Sequence, residues 1–351
     1  MKKFIFVFVF ISIFSCYGEL KKMDINGDGV ITKEEFKGLF RFFNFLDINK
    51  DGKITKDEII KAKAKRKGRI YSEKVEIIKD VVYGKVDDKE LLLDIVKPKE
   101  TSEIPMPVIV FVHGGGWTKG DKKGGDRKLI PFAEKGYFCV SINYRLAPES
   151  KFPAQIEDCK CAIRFLKANS KKYNINPEKI GVWGTSAGGH LVSLLGTTGN
   201  IDKYNESGGW YGYSSKVSAV CDWFGPTDFL SSHSERSGLR GKFLLSENVK
   251  ERRKLMKEAS SVYYVSKESP PFLIMHGGKD TIVPFKQSEI LYSKLKEKGV
   301  DVTLIKLKEA GHGTGFGSRE VRYVEAFFNY YLKGEKEEWE KLRINDFIEL
   351  D

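Results

Sequence analysis

The chain has 351 residues, 41% hydrophobic and 13% aromatic, with 60 basic against 48 acidic side chains and a formal charge of +12. That length accommodates one large domain plus a small one, and the apolar content suits a well-buried globular core. Acids and bases are interspersed, so the charge reads as a solvated surface and no nucleic-acid partner is expected.

The chain starts "MKKFIFVFVFISIFSCYGE": two lysines, an apolar run over 4–14, then small residues. These are the three parts of a secretory signal. Eleven residues of helix span roughly 16 Å, short of the roughly 30 Å of a bilayer core, so a spanning helix is not expected. The predicted protein is exported: secreted, periplasmic or lipid-anchored. "IFSC" resembles a bacterial lipobox, which would remove residues 1–15 and lipidate Cys16, the one membrane link expected; cleavage after Gly18 is the other outcome. The remaining cysteines, Cys139, Cys159, Cys161 and Cys221, show neither disulfide nor metal spacing. Buried thiols are expected there.

Residues 24–35, "DINGDGVITKEE", and 47–58, "DINKDGKITKDE", each fill the twelve positions of a calcium loop. The predicted ligands are Asp24, Asn26, Asp28, Val30, Thr32 and Glu35, then Asp47, Asn49, Asp51, Lys53, Thr55 and Glu58. Calcium wants six to eight oxygens. Positions 1, 3 and 5 give side chains, position 7 a carbonyl, position 9 often a water, and position 12 a bidentate carboxylate. Gly29 and Gly52 permit the sharp turn, and Ile31 and Ile54 can pair the loops back to back. Only 36–46 separates the loops, so one helix serves both. This compact pair, predicted over 20–62, resembles the dockerin modules of polysaccharide-degrading complexes and the short EF-hand repeats of exported bacterial proteins. Glu at position 12 departs from the dockerin Asp. The resemblance leaves open a calcium-dependent protein or cell-surface partner. Calcium is expected here as a structural ion, with no cofactor for catalysis. A basic linker over 63–74 follows, six of the nine residues 61–69 being Lys or Arg.

From 75 onward, short apolar runs alternate with amphipathic ones. Strand-like runs cover 91–96, 107–114, 138–144, 179–184, 217–223, 271–277 and 302–307; helical stretches include 154–168 and 286–298. This alternation predicts an α/β domain over 75–333, a mostly parallel sheet covered by helices on both faces. "GTSAGG", 184–189, follows a strand and opens a helix, the setting of a nucleophile elbow presenting Ser186. "HGGGW", 113–117, ends an earlier strand and matches an oxyanion-loop motif. Its amides, with that of Ala187, suit a tetrahedral intermediate. His113, Gly114 and Trp117 are read as support for this loop, His113 orienting it. A serine hydroxyl needs a base that is itself oriented by a carboxylate. Asp280 follows one strand in "HGGKDTIVP" and His312 the next in "EAGHG". His113 belongs to the oxyanion loop, His190 lies in the elbow helix, His276 ends a strand and His233 sits in a Ser-rich loop, so elimination leaves His312 as the base. Trp210, Tyr211 and Tyr213 lie among glycines in 205–215 and are read as a mobile wall over the substrate pocket, a plain surface loop being the alternative. The charged segment 334–351 is predicted to be a helical tail packed loosely on the domain.

"VIVFVHGGGWTKGD", "YRLAPESKFPAQIEDCKCAIRFL", "GVWGTSAGGHL", "DWFGPTDF", "SPPFLIMHGGKDTIVPF" and "EAGHG" together resemble the α/β-hydrolase esterases and lipases that include bifunctional xylan and feruloyl esterases. The similarity covers 77–332. It implies the α/β-hydrolase fold, preceded here by a small helical EF-hand-type module. It also implies a cofactor-independent serine carboxylester hydrolase with an acyl-enzyme intermediate and the triad Ser186, Asp280, His312. Similarity to hormone-sensitive-lipase-like esterases assigns the oxyanion amides to Gly115 and Gly116, with Ala187. The expected substrate is a small ester or an esterified polysaccharide carrying acetyl or feruloyl groups. The alternatives are an amidase or peptidase of the same fold, and a calcium-dependent docking protein with a vestigial hydrolase domain.

Overall fold

The computed structural model describes residues 23–36, 43–44, 46–59, 72–100, 102–231 and 248–351. The predicted export signal, Cys16, most of the segment 36–46 between the two loops, most of the predicted basic linker and His233 lie outside the described residues. The chain divides into two compact units, Met1–Ser72 and Glu73–Asp351.

In the first unit, β1 (Val30–Thr32) and β2 (Lys53–Thr55) pair antiparallel, with Ile31 opposite Ile54. Both isoleucines are buried with Phe43 and Ile59 in a small core of their own. The two position-eight residues therefore do what the loop spacing predicts.

The second unit is built on nine strands. In chain order they are β3 (Val75–Val86), β4 (Lys89–Pro98), β5 (Met106–Val112), β6 (Phe138–Ile142), β7 (Ile175–Thr185), β8 (Ala219–Trp223), β9 (Phe272–Gly277), β10 (Val302–Leu307) and β11 (Phe347–Leu350). They lie side by side as β11-β10-β9-β8-β7-β5-β6-β4-β3. Pairing is parallel from β11 across to β6, while β4 runs antiparallel to both β6 and β3.

Continuous apolar runs mark strands covered on both faces, because alternate side chains enter opposite layers. In β5, Val108, Val110 and Val112 enter one core, while Ile109 and Phe111 enter the other. The first core is closed by α2 (Ala154–Ala168), α3 (Ala187–Thr198) and α5 (Lys286–Glu297), through residues such as Ile156, Leu191 and Leu291. The second is closed by α1 (Asp126–Ala133) and α6 (Ser318–Phe328), through Leu129, Phe132 and Phe327. A further helix, α4 (Val249–Ala259), precedes β9. Cys139, Cys159, Cys161 and Cys221 are free and buried, as expected of core thiols.

Two features depart from expectation. β3 carries no continuous apolar run, because an edge strand needs only one covered side; its VEIIKDVVYGKV alternates burial irregularly around a register shift between Ile78 and Val81. The C-terminal segment is not a loosely packed tail. A short helix α7 (Glu337–Leu342) sinks Trp339 to 2% exposure against Phe327, and β11 then adds a parallel edge strand beside β10. The catalytic unit therefore runs to Asp351 and not to 333.

Candidate active site

β7 ends at Thr185 and α3 begins at Ala187, leaving Ser186 alone on the turn at φ 54°, ψ −119°. Only tight packing sustains such a conformation in a serine. A side-chain carbon at Gly184 would stand 2.2 Å from the Gly188 carbonyl oxygen, and one at Gly188 only 2.1 Å from that of Val112. Both positions therefore demand glycine. The Ser186 amide is tied to the Trp223 carbonyl of β8 at 2.9 Å.

The loops after β9 and β10 bring the other two residues to this turn. His312 Nε2 lies 2.9 Å from Ser186 Oγ, and its Nδ1 lies 2.7 Å from Asp280 Oδ2. Asp280 Oδ1 accepts from the amides of Ile282 (2.8 Å) and Val283 (2.9 Å), which fixes the carboxylate in its turn. Burial pushes the Asp280 pKa up, but the two histidines and the Val283 amide outweigh it and hold the carboxyl well below its usual range. The second histidine is His276, fully buried at the end of β9. Its Nε2 faces Asp280 Oδ2 at 3.3 Å and the Val283 carbonyl at 2.8 Å, while Nδ1 meets Ser288 Oγ at 2.7 Å. No role for His276 was legible in the sequence beyond its spacing of four from Asp280. Phe224 packs its ring edge-on to the His312 imidazole at 4.9 Å, a contact that no motif announces.

The segment 113–117 passes directly beside Ser186: a side-chain carbon at Gly114 would lie 3.2 Å from Ser186 Cβ. His113 stacks on Tyr144 at 4.3 Å and bonds the Gly114 carbonyl through Nδ1 at 2.7 Å; Tyr144 Oη donates to the His113 carbonyl at 3.0 Å. The Gly115 carbonyl accepts from Thr118 and Lys119, both at 3.2 Å, which closes the loop on itself. Gly116 has φ 60° and open space around its α-carbon. Ala187 is the first residue of α3, so its amide belongs to the helix end whose donors have no partner within the helix. Trp117, at φ 59° and buried, donates its indole N–H to His190 Nδ1 at 3.1 Å. His190 sits one turn after Ser186 in α3, and its Nε2 bonds the Ala259 carbonyl at 2.7 Å. Burial lowers the His190 pKa to about 4, so at neutral pH it is an uncharged clamp between the glycine loop and the helix that Ser186 precedes. A single distribution of protons fits: Nε2 donates and Nδ1 accepts.

Trp210, Tyr211 and Tyr213 are not gathered around Ser186. The Trp210 indole donates to the Tyr83 carbonyl of β3 at 2.8 Å, and its ring meets Phe165 of α2 at 5.6 Å. The guanidinium of Arg164, also on α2, lies 5.9 Å from the Tyr211 ring. β3 is four strands away from β7, roughly 19 Å at about 4.8 Å per strand. The segment thus lies on the flank of the domain, held by β3 and α2 and not gathered beside Ser186.

In the small unit, the loop side chains cap loop amides. Asp24 Oδ2 accepts from Gly29, Asn26 Oδ1 from Asp28, and Asp28 Oδ1 from Val30, at 2.8–3.1 Å. Asp47, Asn49 and Asp51 repeat this in the second loop, at 2.9–3.0 Å. Glu35 accepts from Ile25 and Thr32, and Glu58 from Ile48 and Thr55. Among the described residues no three acidic, His or Cys side chains converge as around an ion. Yet Asp24 Oδ1 is buried without a hydrogen-bond partner. A carboxylate oxygen left so exposes a position that a hard cation would satisfy. With the neighbouring oxygens of Asn26, Asp28, Val30, Thr32 and Glu35, the donor set fits calcium.

Comparison with known proteins agrees with both units. The EF-hand family profile matches residues 19–40 and 41–62. Esterase LipC of Mycobacterium tuberculosis is 33% identical over 239 residues, 66% of this chain and 59% of LipC. The chain spans about half the length of the curated relatives it matches. Among solved structures, a truncated carbohydrate esterase from gut microbiota is 30% identical, with a TM-score of 0.67 over 74% of this chain and 96% of its own. An acetyl ester-xyloside bifunctional hydrolase from Caldicellulosiruptor lactoaceticus is 28% identical, with a TM-score of 0.57 over 69% and 87%. The BD-FAE family profile matches residues 93–295, more than half of the chain, from within β4 to α5. The protein belongs to the BD-FAE family of α/β-hydrolase esterases.

Proposed function

We propose that this chain is an exported serine esterase that removes acyl groups from esterified polysaccharide or its fragments. The observation that carries the reading is the Ser186–His312–Asp280 chain of hydrogen bonds, at 2.9 and 2.7 Å, beside the glycine loop. Ser186 Oγ attacks the ester carbonyl while His312 Nε2 takes its proton. Asp280 stays ionised, holds Nδ1–H and stabilises the imidazolium. The amides of Gly115, Gly116 and Ala187 receive the oxyanion; removing one such donor costs about 3–4 kcal/mol in other hydrolases. His312 then protonates the departing alcohol oxygen. Water, deprotonated by His312, cleaves the acyl-serine, releases the acid and restores the Ser186 hydroxyl.

A carbohydrate alcohol is favoured by the carbohydrate esterase and acetyl ester-xyloside hydrolase among the structural relatives. Export rests on the composition of residues 1–16. The test is a panel of acetyl, butyryl and feruloyl esters, acetylated xylan, and an anilide matched to the acetyl ester. Ester turnover should exceed anilide turnover. Preference for the anilide would make the chain an amidase.

The same reading gives the small unit two calcium ions. Asp24, Asn26, Asp28, Thr32, Glu35 and the Val30 carbonyl would hold one. Asp47, Asn49, Asp51, Thr55, Glu58 and the Lys53 carbonyl would hold the other. The ion supplies charge that binds the loop oxygens together. Extracellular sites of this kind bind at roughly 10⁻⁴–10⁻³ M, and calcium at a hundredfold over Kd adds about 2.7 kcal/mol per site. Titration calorimetry should show two ions bound per chain. Chelation should speed amide exchange across 23–59 while p-nitrophenyl acetate turnover persists. Failure to bind calcium would leave the loops as capped turns.

A further inference from the structure

The aromatic segment that lies away from Ser186 has features of its own. Trp210 is 39% exposed, Tyr211 67% and Tyr213 47%. They fall within one turn, closed by the Tyr213 amide on the Trp210 carbonyl at 3.1 Å, so their α-carbons are close neighbours. Single exposed apolar residues are ordinary on any surface. Three rings in four residues are not, and here the backbone beneath them is held rigidly.

The fold spends unusual means on that rigidity. Gly208, Gly209 and Trp210 all adopt positive φ, at 85°, 107° and 61°. A side-chain carbon at Gly208 would stand 2.5 Å from Cys161 Sγ, so the chain presses directly on α2. Arg164, buried in α2, gives its guanidinium to this segment: Nε to the Gly209 carbonyl at 3.1 Å, Nη1 to Asn205 Oδ1 at 3.1 Å, and Nη2 to the Ser207 and Gly209 carbonyls at 2.7 and 3.0 Å. Among the described residues it forms no ion pair with a carboxylate. On the other side, the Lys85 amide bonds the Gly208 carbonyl at 3.3 Å and the Trp210 indole bonds Tyr83, fastening the turn to the outer edge of β3. Burying an arginine for the neutral oxygens of one segment, three contacts to backbone carbonyls and one to the Asn205 side chain, makes sense where the turn must not move.

We propose that this turn is a second glycan-binding site, a fixed aromatic platform on which a neutral polysaccharide chain stacks its sugar rings. The C–H face of a pyranose is apolar and carries slight positive charge, which matches the negative face of an aromatic ring. The size of the patch decides against a protein partner. A buried aromatic side chain covers about 150–250 Å², so the exposed parts of these three amount to about 300 Å², against about 800 Å² per partner in a stable protein interface. That area suits a few sugar units. At roughly 19 Å from the nucleophile's strand, the platform would hold a polymer while another stretch of it is deacylated. The choice of a glycan over other neutral ligands rests on the esterase reading above.

The test uses the full chain with calcium present, in affinity gels containing soluble xylan. Wild type should be retarded. The double variant Tyr211→Ser/Tyr213→Ser keeps the Trp210 anchor and should bind about tenfold more weakly, with p-nitrophenyl acetate turnover unchanged and acetate release from acetylated xylan reduced. Trp210→Ala should act in the same direction. Equal retardation of wild type and double variant, or none in either, overturns the platform. So does sedimentation showing a wild-type dimer that the variant cannot form. Absence of ester turnover in wild type would instead refute the catalytic reading, which the gel does not measure.

Discussion

Ser186→Ala should lower p-nitrophenyl acetate turnover by about 10⁵–10⁶-fold, the scale on which nucleophile loss acts in other serine hydrolases. The oxygen removed is the atom that His312 Nε2 faces at 2.9 Å. Among the described residues His312 Nε2 bonds no other hydroxyl. The elbow itself should survive. Its geometry is imposed by the contacts at Gly184 and Gly188 and by the Ser186 amide on Trp223, none of which involves Oγ. Melting temperature should therefore stay level or rise slightly, since a residue held at φ 54° for function is a local cost to stability. Mass spectrometry after a short pulse of p-nitrophenyl acetate should show an acetylated protein for wild type and none for the variant. Turnover in the variant within tenfold of wild type would remove Ser186 from the mechanism.

The residues that meet at this turn were legible because each is announced locally. Strand, glycine, serine, glycine and helix are contiguous in 179–198, and the two loops that carry Asp280 and His312 each follow a buried strand that reads as an apolar run. The pairing of Ile31 with Ile54 was legible for a similar reason: loop position fixes it. What escaped depends on distance across the sheet. Trp210, Tyr211 and Tyr213 sit in the loop before β8, which is adjacent to β7 in the sheet. Yet the backbone carries them along α2 to the far edge at β3, where Arg164 and Tyr83 hold them. Local sequence does not say which neighbour a glycine-rich loop will choose. β3 and β11 escaped because edge strands need one apolar side only, and Trp339 and Ile348 are the buried apolar residues in a C-terminal segment otherwise dominated by charge. His190 and His276 were legible as histidines but not as clamps. Their partners are the Trp117 indole and the Ala259, Val283 and Ser288 groups, none of which a motif couples to them.

Asp280→Asn is the second large effect, expected to lower kcat by about 10³–10⁴-fold, and here the reason can be traced atom by atom. Oδ1 receives two backbone amides, from Ile282 and Val283, and only an oxygen can accept them. The new amide must therefore turn its NH2 toward His312 and His276. Facing a donor, His312 Nδ1 can bond only as an acceptor, which moves its proton to Nε2 and leaves nothing to take the proton of Ser186. His276 Nε2, bonded as a donor to the Val283 carbonyl, meets the same NH2 across what was a 3.3 Å contact with a carboxylate. Stability should fall as well, in a pH-dependent way. The Asp280 carboxyl is held below its usual range in the folded protein, whereas in the unfolded chain it titrates near about 3.9. Above that value both states are ionised and the folded state has the full benefit. As pH falls below it, the unfolded chain takes up a proton that the folded one resists, so the benefit drains away toward the lower folded value. The stability difference between wild type and Asp280→Asn in urea should thus be full at pH 7 and smaller at pH 3. A difference that does not shrink would mean that the carboxylate's charge is not what His276 and His312 hold in place.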